Sequence, residues 1–197
     1  MKFTIQKKEI SEVLSGIQGI VGRKTSLAIT ENVLIKANND SIIMSATDLE
    51  TGFEGSYPAV VEAQGTVAVN ARKLNDIVKM FPTDHINIEE LDNRWIEISS
   101  DKVEYHLVGM NPEDFPDIPK IEDVKFFRIN SESFKKMIEK SIVISVAGDE
   151  KREHMIGVSF ERISDKKEKT IRMVSTDIKR LSMVDYLCEK KIRFQTG

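Results

Sequence analysis

Side chains able to do chemistry are few in this chain of 197 residues, and they are badly placed for catalysis. The three histidines, His85, His106 and His154, lie far apart, with no Cys/His or paired-histidine spacing suited to a metal. Cys188 is the single cysteine; it has no catalytic signature around it, excludes an internal disulfide and fits a reducing compartment. No glycine-rich phosphate loop, Gly-x-Ser-x-Gly elbow or His-Glu-x-x-His pair occurs. The expectation is a non-enzymatic protein with no metal and no cofactor. What remains is the chemistry of cations. Arg72, Lys73 and Lys79 fall within one helical stretch, and Lys135, Lys136 and Lys140 within another. Lys and Arg on exposed helix faces meet phosphates without reading bases. A net charge of −3 hides this separation, because acid gathers elsewhere, in Ile86–Asp101 and Asn111–Val124.

The elements that must carry these residues repeat. Ile171–Leu181 reads as a strand ending at a Thr-Asp turn, and Ile42–Glu50 is its earlier twin. Phe3-Thr4-Ile5 with Ile10 and Leu14 matches Phe127-Arg128-Ile129 with Phe134 and Ile138 at constant spacing. Such long-period similarity decides the fold before any local reading does. The first unit runs from a strand at 2–6 through a helix carrying Ile10, Val13, Leu14, Ile17, Ile20 and Val21. Strands around Val33–Ile35, Ile42–Ala46 and Gly52–Val61 follow. The second unit has strand Thr66–Asn70, with Asn70 as helix N-cap, and a helix with Leu74, Ile77, Val78 and Phe81 inward. Arg72, Asn75, Asp76 and Lys79 oppose that stripe; strands Ile86–Ile88, Trp95–Ser99 and Val103–Met110 complete the unit.

Asn111–Asp123, with three prolines and many carboxylates, is a connector and domain boundary. The third round has strand Phe126–Asn130, then helix Ser133–Ile144 with Phe134, Met137, Ile138 and Ile142 inward. Strands Met155–Glu161, Thr170–Ser175 and Leu181–Cys188 end it. Trp95 is expected in the packing, and Tyr105 either in the core or in a subunit contact. The class is α+β, built from β-α-β-β-β units. Two units side by side can join their sheets and set both helices together, helices on one side and sheets on the other. Curved into a ring with helices inward, such domains give a basic inner wall. No apolar run approaches the roughly 20 residues of a membrane span, and the N-terminus lacks a signal-peptide core. The expected location is the cytoplasm, with no membrane contact.

Several stretches, taken in order and spacing, resemble one family over nearly the whole chain. They are Met1–Ile5, Gly22-Arg23-Lys24-Thr25, Ala46-Thr47-Asp48-Leu49-Glu50, Asn70-Ala71-Arg72-Lys73-Leu74, Met110–Pro116, and Thr176-Asp177 with Arg180-Leu181. The resemblance is to the bacterial DNA polymerase III β subunit, the sliding clamp of DNA replication. It implies the DNA-clamp fold, with residues 1–124 as clamp domain one, 125–197 as the first half of domain two, and a third domain absent. In this family two chains close head to tail around duplex DNA.

The resemblance also implies sites. DNA contacts carried over by position are Arg23, Arg72, Asp149, Glu153 and His154. Asp149 and Glu153 do not suit phosphate, which leaves Lys151 or Arg152 as substitutes; Lys24 and Lys79 are counted in the same set. A partner-peptide cleft would use Met155, Thr176, Ile178, Lys179, Arg180 and Leu181. Family members usually show Gly-His where this chain has Ile178-Lys179, and a β-branched residue there narrows the cleft or alters its backbone. Lys73, Lys102, Tyr105 and Leu107 would form the subunit interface. The implied partners are duplex DNA, the replicative polymerase and clamp-loader subunits through short peptide motifs, and a second copy in the full-length form. The implied function is a processivity clamp in truncated form. The alternative is a clamp-fold fragment that binds replication peptides or clamp subunits without encircling DNA.

Overall fold

Phe3 and Ile5 alternate with polar neighbours in Lys2–Gln6, and that period of two makes the segment a strand, β1. The computed structural model describes residues 1–22, 27–101, 103–118, 128–144, 156–164 and 169–188. The chain divides into two compact units, Met1–Lys120 and Ile121–Gly197.

In the first unit, β1 passes directly into α1 (Lys7–Val21), where Ile10, Val13, Leu14, Ile17 and Val21 share one buried face. A short 3-10 turn at Ala28–Glu31 leads into β2 (Asn32–Asn38) and β3 (Ser41–Thr47). The expected strand Gly52–Val61 is two strands, β4 (Gly52–Pro58) and β5 (Val60–Ala63). The break follows from Pro58, which has no N–H to donate, and from Ala59, whose N–H goes instead to Asp40 O at 3.1 Å. The chain changes sheet there. β6 (Gly65–Asn70), α2 (Ala71–Met80), β7 (His85–Glu90), β8 (Trp95–Ser99) and β9 (Glu104–Val108) follow. Asn70 caps α2 as expected, its Oδ1 accepting from Lys73 N at 3.0 Å.

Two antiparallel sheets result, in the orders β5-β1-β7-β8-β9 and β4-β3-β2-β6. The first strand of each repeat is donated to the other: β1 pairs with β7, and β6 pairs with β2. A Met110–Ala68 bridge beside β6 mirrors β5 beside β1. Phe3, Val33, Ile35, Ile42, Val69, Ile86, Ile88, Ile96 and Ile98 meet the apolar stripes of α1 and α2 in one core. The helices lie together, as the repeat implies. Asn75 departs from expectation: it is buried, because α2 turns that side toward α1, where Asn75 Oδ1 accepts from Ser15 Oγ at 3.4 Å. Trp95 also departs. It is 44% exposed on the outer face of β8, edge-on to His106, because Ile96 and Ile98 take the inner face. The start of the connector is packed down: Phe115 is buried with Ile29 and Ala68.

In the second unit, α3 (Ser131–Ser141) is capped by Asn130, whose Oδ1 accepts from Ser133 N at 3.0 Å. It lies on the sheet β10 (Ser159–Ser164), β11 (Lys169–Thr176) and β12 (Leu181–Leu187). Met137, Ile171 and Met173 form its small core, with Phe134, Val184 and Tyr186 packed around them. The helix is rotated from the expected stripe. Met137 and Ser141 face the sheet, where Ser141 O accepts from Ser175 Oγ, and this leaves Ile138 and Ile142 largely exposed. Of the strand expected at 126–130, residues 128–130 are not extended into a sheet, and the strand expected at Met155–Glu161 begins only at Ser159. No helix among the described residues is long and apolar enough to cross a membrane.

Candidate functional site

Two features stand out, one per unit. The first is the basic side of α2. Leu74 and Val78 anchor the helix in the core, which turns Arg72, Lys73 and Lys79 outward, all exposed. Arg72 and Lys79 are seven residues apart, two helical turns, and so lie in one row. Asp76 shares the exposed side and partly offsets them. Arg72 reaches toward the C-terminal end of α1: a Cβ at Gly22 would lie 3.6 Å from its guanidinium. The first turn of α2, beside Arg72 and capped at Lys73 N by Asn70, adds the positive end of a helix dipole. The arrangement can hold phosphate oxygens through charge-assisted hydrogen bonds. Arg23 and Lys24 follow Gly22 in sequence and lie outside the described residues, as do Asp149, Lys151, Arg152, Glu153 and His154.

The second feature is the Thr-Asp turn after β11. Asp177 Oδ1 accepts from Lys179 N at 3.1 Å and from Arg180 N at 2.6 Å. Thr176 Oγ1 accepts from Ile178 N at 3.1 Å and donates to Arg180 O at 2.8 Å. The twin turn after β3 repeats every one of these bonds. Asp48 Oδ1 accepts from Glu50 N and Thr51 N, while Thr47 Oγ1 accepts from Leu49 N and donates to Thr51 O. Both turns place a non-glycine residue in the left-handed region, Leu49 and Ile178 each at φ 76°. Side-chain oxygens thus substitute for a glycine's freedom by tying down the neighbouring amides.

The second turn has an arginine, Arg180, where the twin has Thr51. Arg180 Nε and Nη2 both reach Asp177 Oδ2, at 2.9 and 2.8 Å. That pairing, followed by the Arg180 backbone N–H, holds the Asp177 carboxyl below the usual aspartate range. Ile178, Lys179, Arg180 and Leu181 are all exposed, and Thr176 is half-buried. Leu181 opens a row on the outer face of β12 that continues through Met183 and Leu187, each more than half exposed. The structure therefore brings together five of the six expected cleft residues; Met155 lies outside the described residues.

The expected interface residues Tyr105 and Leu107 point inward from β9, half-buried, and Tyr105 packs against Phe81 with ring centroids 6.1 Å apart. β9 is an edge of its sheet, with no strand beyond it among the described residues. Lys73 is exposed on α2, and Lys102 lies outside the described residues. On the outer face of β8 and β9, His106 Nε2 lies 3.4 Å from Glu104 and 3.9 Å from Glu97, an exposed group absent from the sequence reading. Cross-strand register could have found Glu97, which faces His106 directly.

The profile of a family described as "DNA polymerase III beta subunit, N-terminal domain" matches residues 1–119. The beta sliding clamp of Chlamydia muridarum is 28% identical over 185 residues, 94% of this chain and 49% of that protein. The Bacillus subtilis beta sliding clamp is 27% identical over 169 residues, 82% of this chain and 44% of that protein. Among solved structures, a DNA polymerase III subunit beta sliding clamp from Bartonella birtlesii superposes with a TM-score of 0.84 at 27% identity, covering 96% of this chain and 50% of that one. The B. subtilis polymerase sliding clamp, at 24% identity and a TM-score of 0.83, covers 99% of this chain and 52% of that one and shares the fold. The chain spans about half the length of the relatives it matches.

Proposed function

This chain belongs to the DNA polymerase III beta-subunit family, and on that premise we propose that it serves as part of a DNA sliding clamp, a non-catalytic processivity factor that tethers the replicative polymerase to duplex DNA. The observation that carries the reading is the outward row of Arg72 and Lys79 on α2, set beside the end of α1. Cations on a rigid helix suit a protein that must hold phosphates and still slide. By position in the family Arg23, Asp149, Glu153 and His154 belong to the same contact set; Asp149 and Glu153 do not suit phosphate, so Lys151 or Arg152 takes their part, and Lys24 joins Arg23. The polymerase and clamp-loader subunits dock through short peptides on the turn Thr176–Arg180 with Leu181 beside it, and the resemblance adds Met155 to the same cleft. The edge of β9, with Lys73, Lys102, Tyr105 and Leu107, is the surface for a second copy in a closed ring. The working location is the cytoplasm.

A second reading rests on the exposed apolar row Leu181, Met183 and Leu187. In it the chain binds replication peptides or clamp subunits and does not encircle DNA. Fluorescence anisotropy with two duplexes of unrelated sequence, across a salt series, separates the two. The clamp reading expects weak, sequence-independent binding, and Arg72→Ala should shallow the log–log salt slope by about 0.9. Affinity unmoved by both salt and Arg72→Ala would refute it and leave the protein-only reading.

A further inference from the structure

His106 Nε2 lies 3.4 Å from Glu104 Oε1 and 3.9 Å from Glu97 Oε2. Both separations are longer than a charge-assisted hydrogen bond of about 2.7–2.9 Å. They suit a shared ion better. Ligand atoms placed tetrahedrally at about 2.0–2.2 Å from a zinc ion stand about 3.4 Å from one another. The three ligand atoms here all fall within 4.8 Å of each other, so small side-chain rotations close the set. The scaffold is regular sheet. Antiparallel register sets Glu97 of β8 directly opposite His106 of β9, and Glu104 is the neighbouring position on the same face of β9. Ile96 and Ile98 fix β8 from the inner side, where both are fully buried. Trp95 stands edge-on to the imidazole with ring centroids 6.2 Å apart, which limits the swing of His106. Charge supplies an independent observation. The register continues across the sheet as Lys2, Glu89, Glu97 and His106. Glu89 and Glu97 repel as directly opposed like charges. Lys2 relieves Glu89 at 3.3 Å and Glu62 at 3.4 Å, whereas Glu97 and Glu104 share one imidazole.

We propose that Glu97, Glu104 and His106 bind a divalent transition-metal ion of the zinc class on the outer face of β8 and β9. One imidazole with two carboxylates suits zinc, cobalt or nickel, while magnesium and calcium prefer oxygen ligands alone. The fourth position faces solvent and takes water. An ion there neutralises the acidic end of the row and ties β8 to β9 through side chains as well as through the backbone ladder. Binding needs neither DNA nor a partner, so it stands or falls separately from the clamp reading.

Trp95 is the one tryptophan and lies against the site, so its fluorescence reports the ion. Titrating the whole chain with cobalt chloride should quench Trp95 saturably. Zinc chloride should displace the cobalt and restore the emission, and excess magnesium chloride should not. Glu104→Gln, at an exposed position, should raise the apparent Kd for cobalt by about tenfold, and His106→Gln by about a hundredfold. His85→Gln, on β7 of the same sheet, should leave it unchanged. Circular dichroism checks that each variant keeps the fold. No saturation below millimolar cobalt, wild-type affinity in either Glu104→Gln or His106→Gln, displacement by magnesium, or loss of binding in His85→Gln would each overturn the proposal.

Discussion

Replacing Ile178 by glycine should stabilise the second unit, although it removes a large apolar side chain. Ile178 sits at φ 76° with its side chain 66% exposed. The left-handed region costs an L-residue roughly 1–2 kcal/mol, and a β-branched one belongs at the upper end. Glycine relieves that strain. It returns about 0.7 kcal/mol through the freedom it gives the unfolded chain and about 0.5 kcal/mol through lost side-chain contact. The expected net gain is about 0.8 kcal/mol. Leu49 provides the internal control, because its turn has the same φ and the same side-chain-to-backbone bonds. Leucine is not β-branched, so Leu49→Gly relieves only about 1 kcal/mol and should come out near neutral. Urea titrations decide the matter. Trp95, the one tryptophan, reports the first unit by fluorescence, and exchange of the Thr176–Leu181 amides reports the second. If Leu49→Gly gains as much as Ile178→Gly, or Ile178→Gly loses more than about 1 kcal/mol, strain is not what distinguishes the two turns.

Phe115→Ala should cost about 3 kcal/mol, read from the Trp95 unfolding midpoint, since Phe115 is buried against Ile29 and Ala68 in a cluster too small to collapse around the gap; a cost below about 1 kcal/mol would mean the connector is not anchored there. The second unit should lose stability in acid. Arg172 holds the Asp185 carboxyl below the usual aspartate range, chiefly by its side-chain hydrogen bonds, and Arg180 does the same for Asp177. A carboxyl lowered in the folded state binds fewer protons than its unfolded form. Its contribution is therefore complete above the ordinary aspartate value and disappears as the pH falls through the lowered one. Urea midpoints measured by circular dichroism from pH 7 to pH 3 should show a shallower acid loss in Asp185→Asn than in the wild type, and identical profiles would count against the pair.

The elements were legible where period decides them. α1 and α2 announce themselves through Ile10, Leu14, Ile17 and Leu74, Val78, Phe81, and the twin turns through Thr47-Asp48 and Thr176-Asp177. Alternation reports which face a strand presents and says nothing of its partner. Hence Gly52–Val61 read as one strand, although Pro58 and Ala59 carry the chain from one sheet to the other, and the exchange of β1 and β6 between repeats was not visible. Asn75 looked like surface because asparagine is polar; only the neighbouring helix, which no local pattern reveals, makes its burial with Ser15 favourable. The cleft turn was legible through its repeat, but the rescue of Ile178 by Thr176 and Asp177 depends on hydrogen bonds whose geometry appears only in three dimensions.

The repeat also supplies its own control for what the turn serves. β4 and β12 each follow a Thr-Asp turn, each form the edge of their sheet, and each alternate exposed with half-buried residues. Their inner faces do the same work, Phe53 and Tyr57 in one and Val184 and Tyr186 in the other. Their outer rows differ. β4 shows Gly52, Glu54, Ser56 and Pro58, which water solvates without cost, whereas β12 shows Leu181, Met183 and Leu187 around Asp185. The polar row folds into the same kind of edge strand in the same chain, so an edge strand of this repeat does not itself require an apolar outer row. Three exposed apolar side chains on one edge strand carry an aggregation hazard that β4 avoids. The sequence keeps that hazard beside a turn held by the same bonds and further pinned by Arg180, so the apolar row is the feature in which the two repeats part.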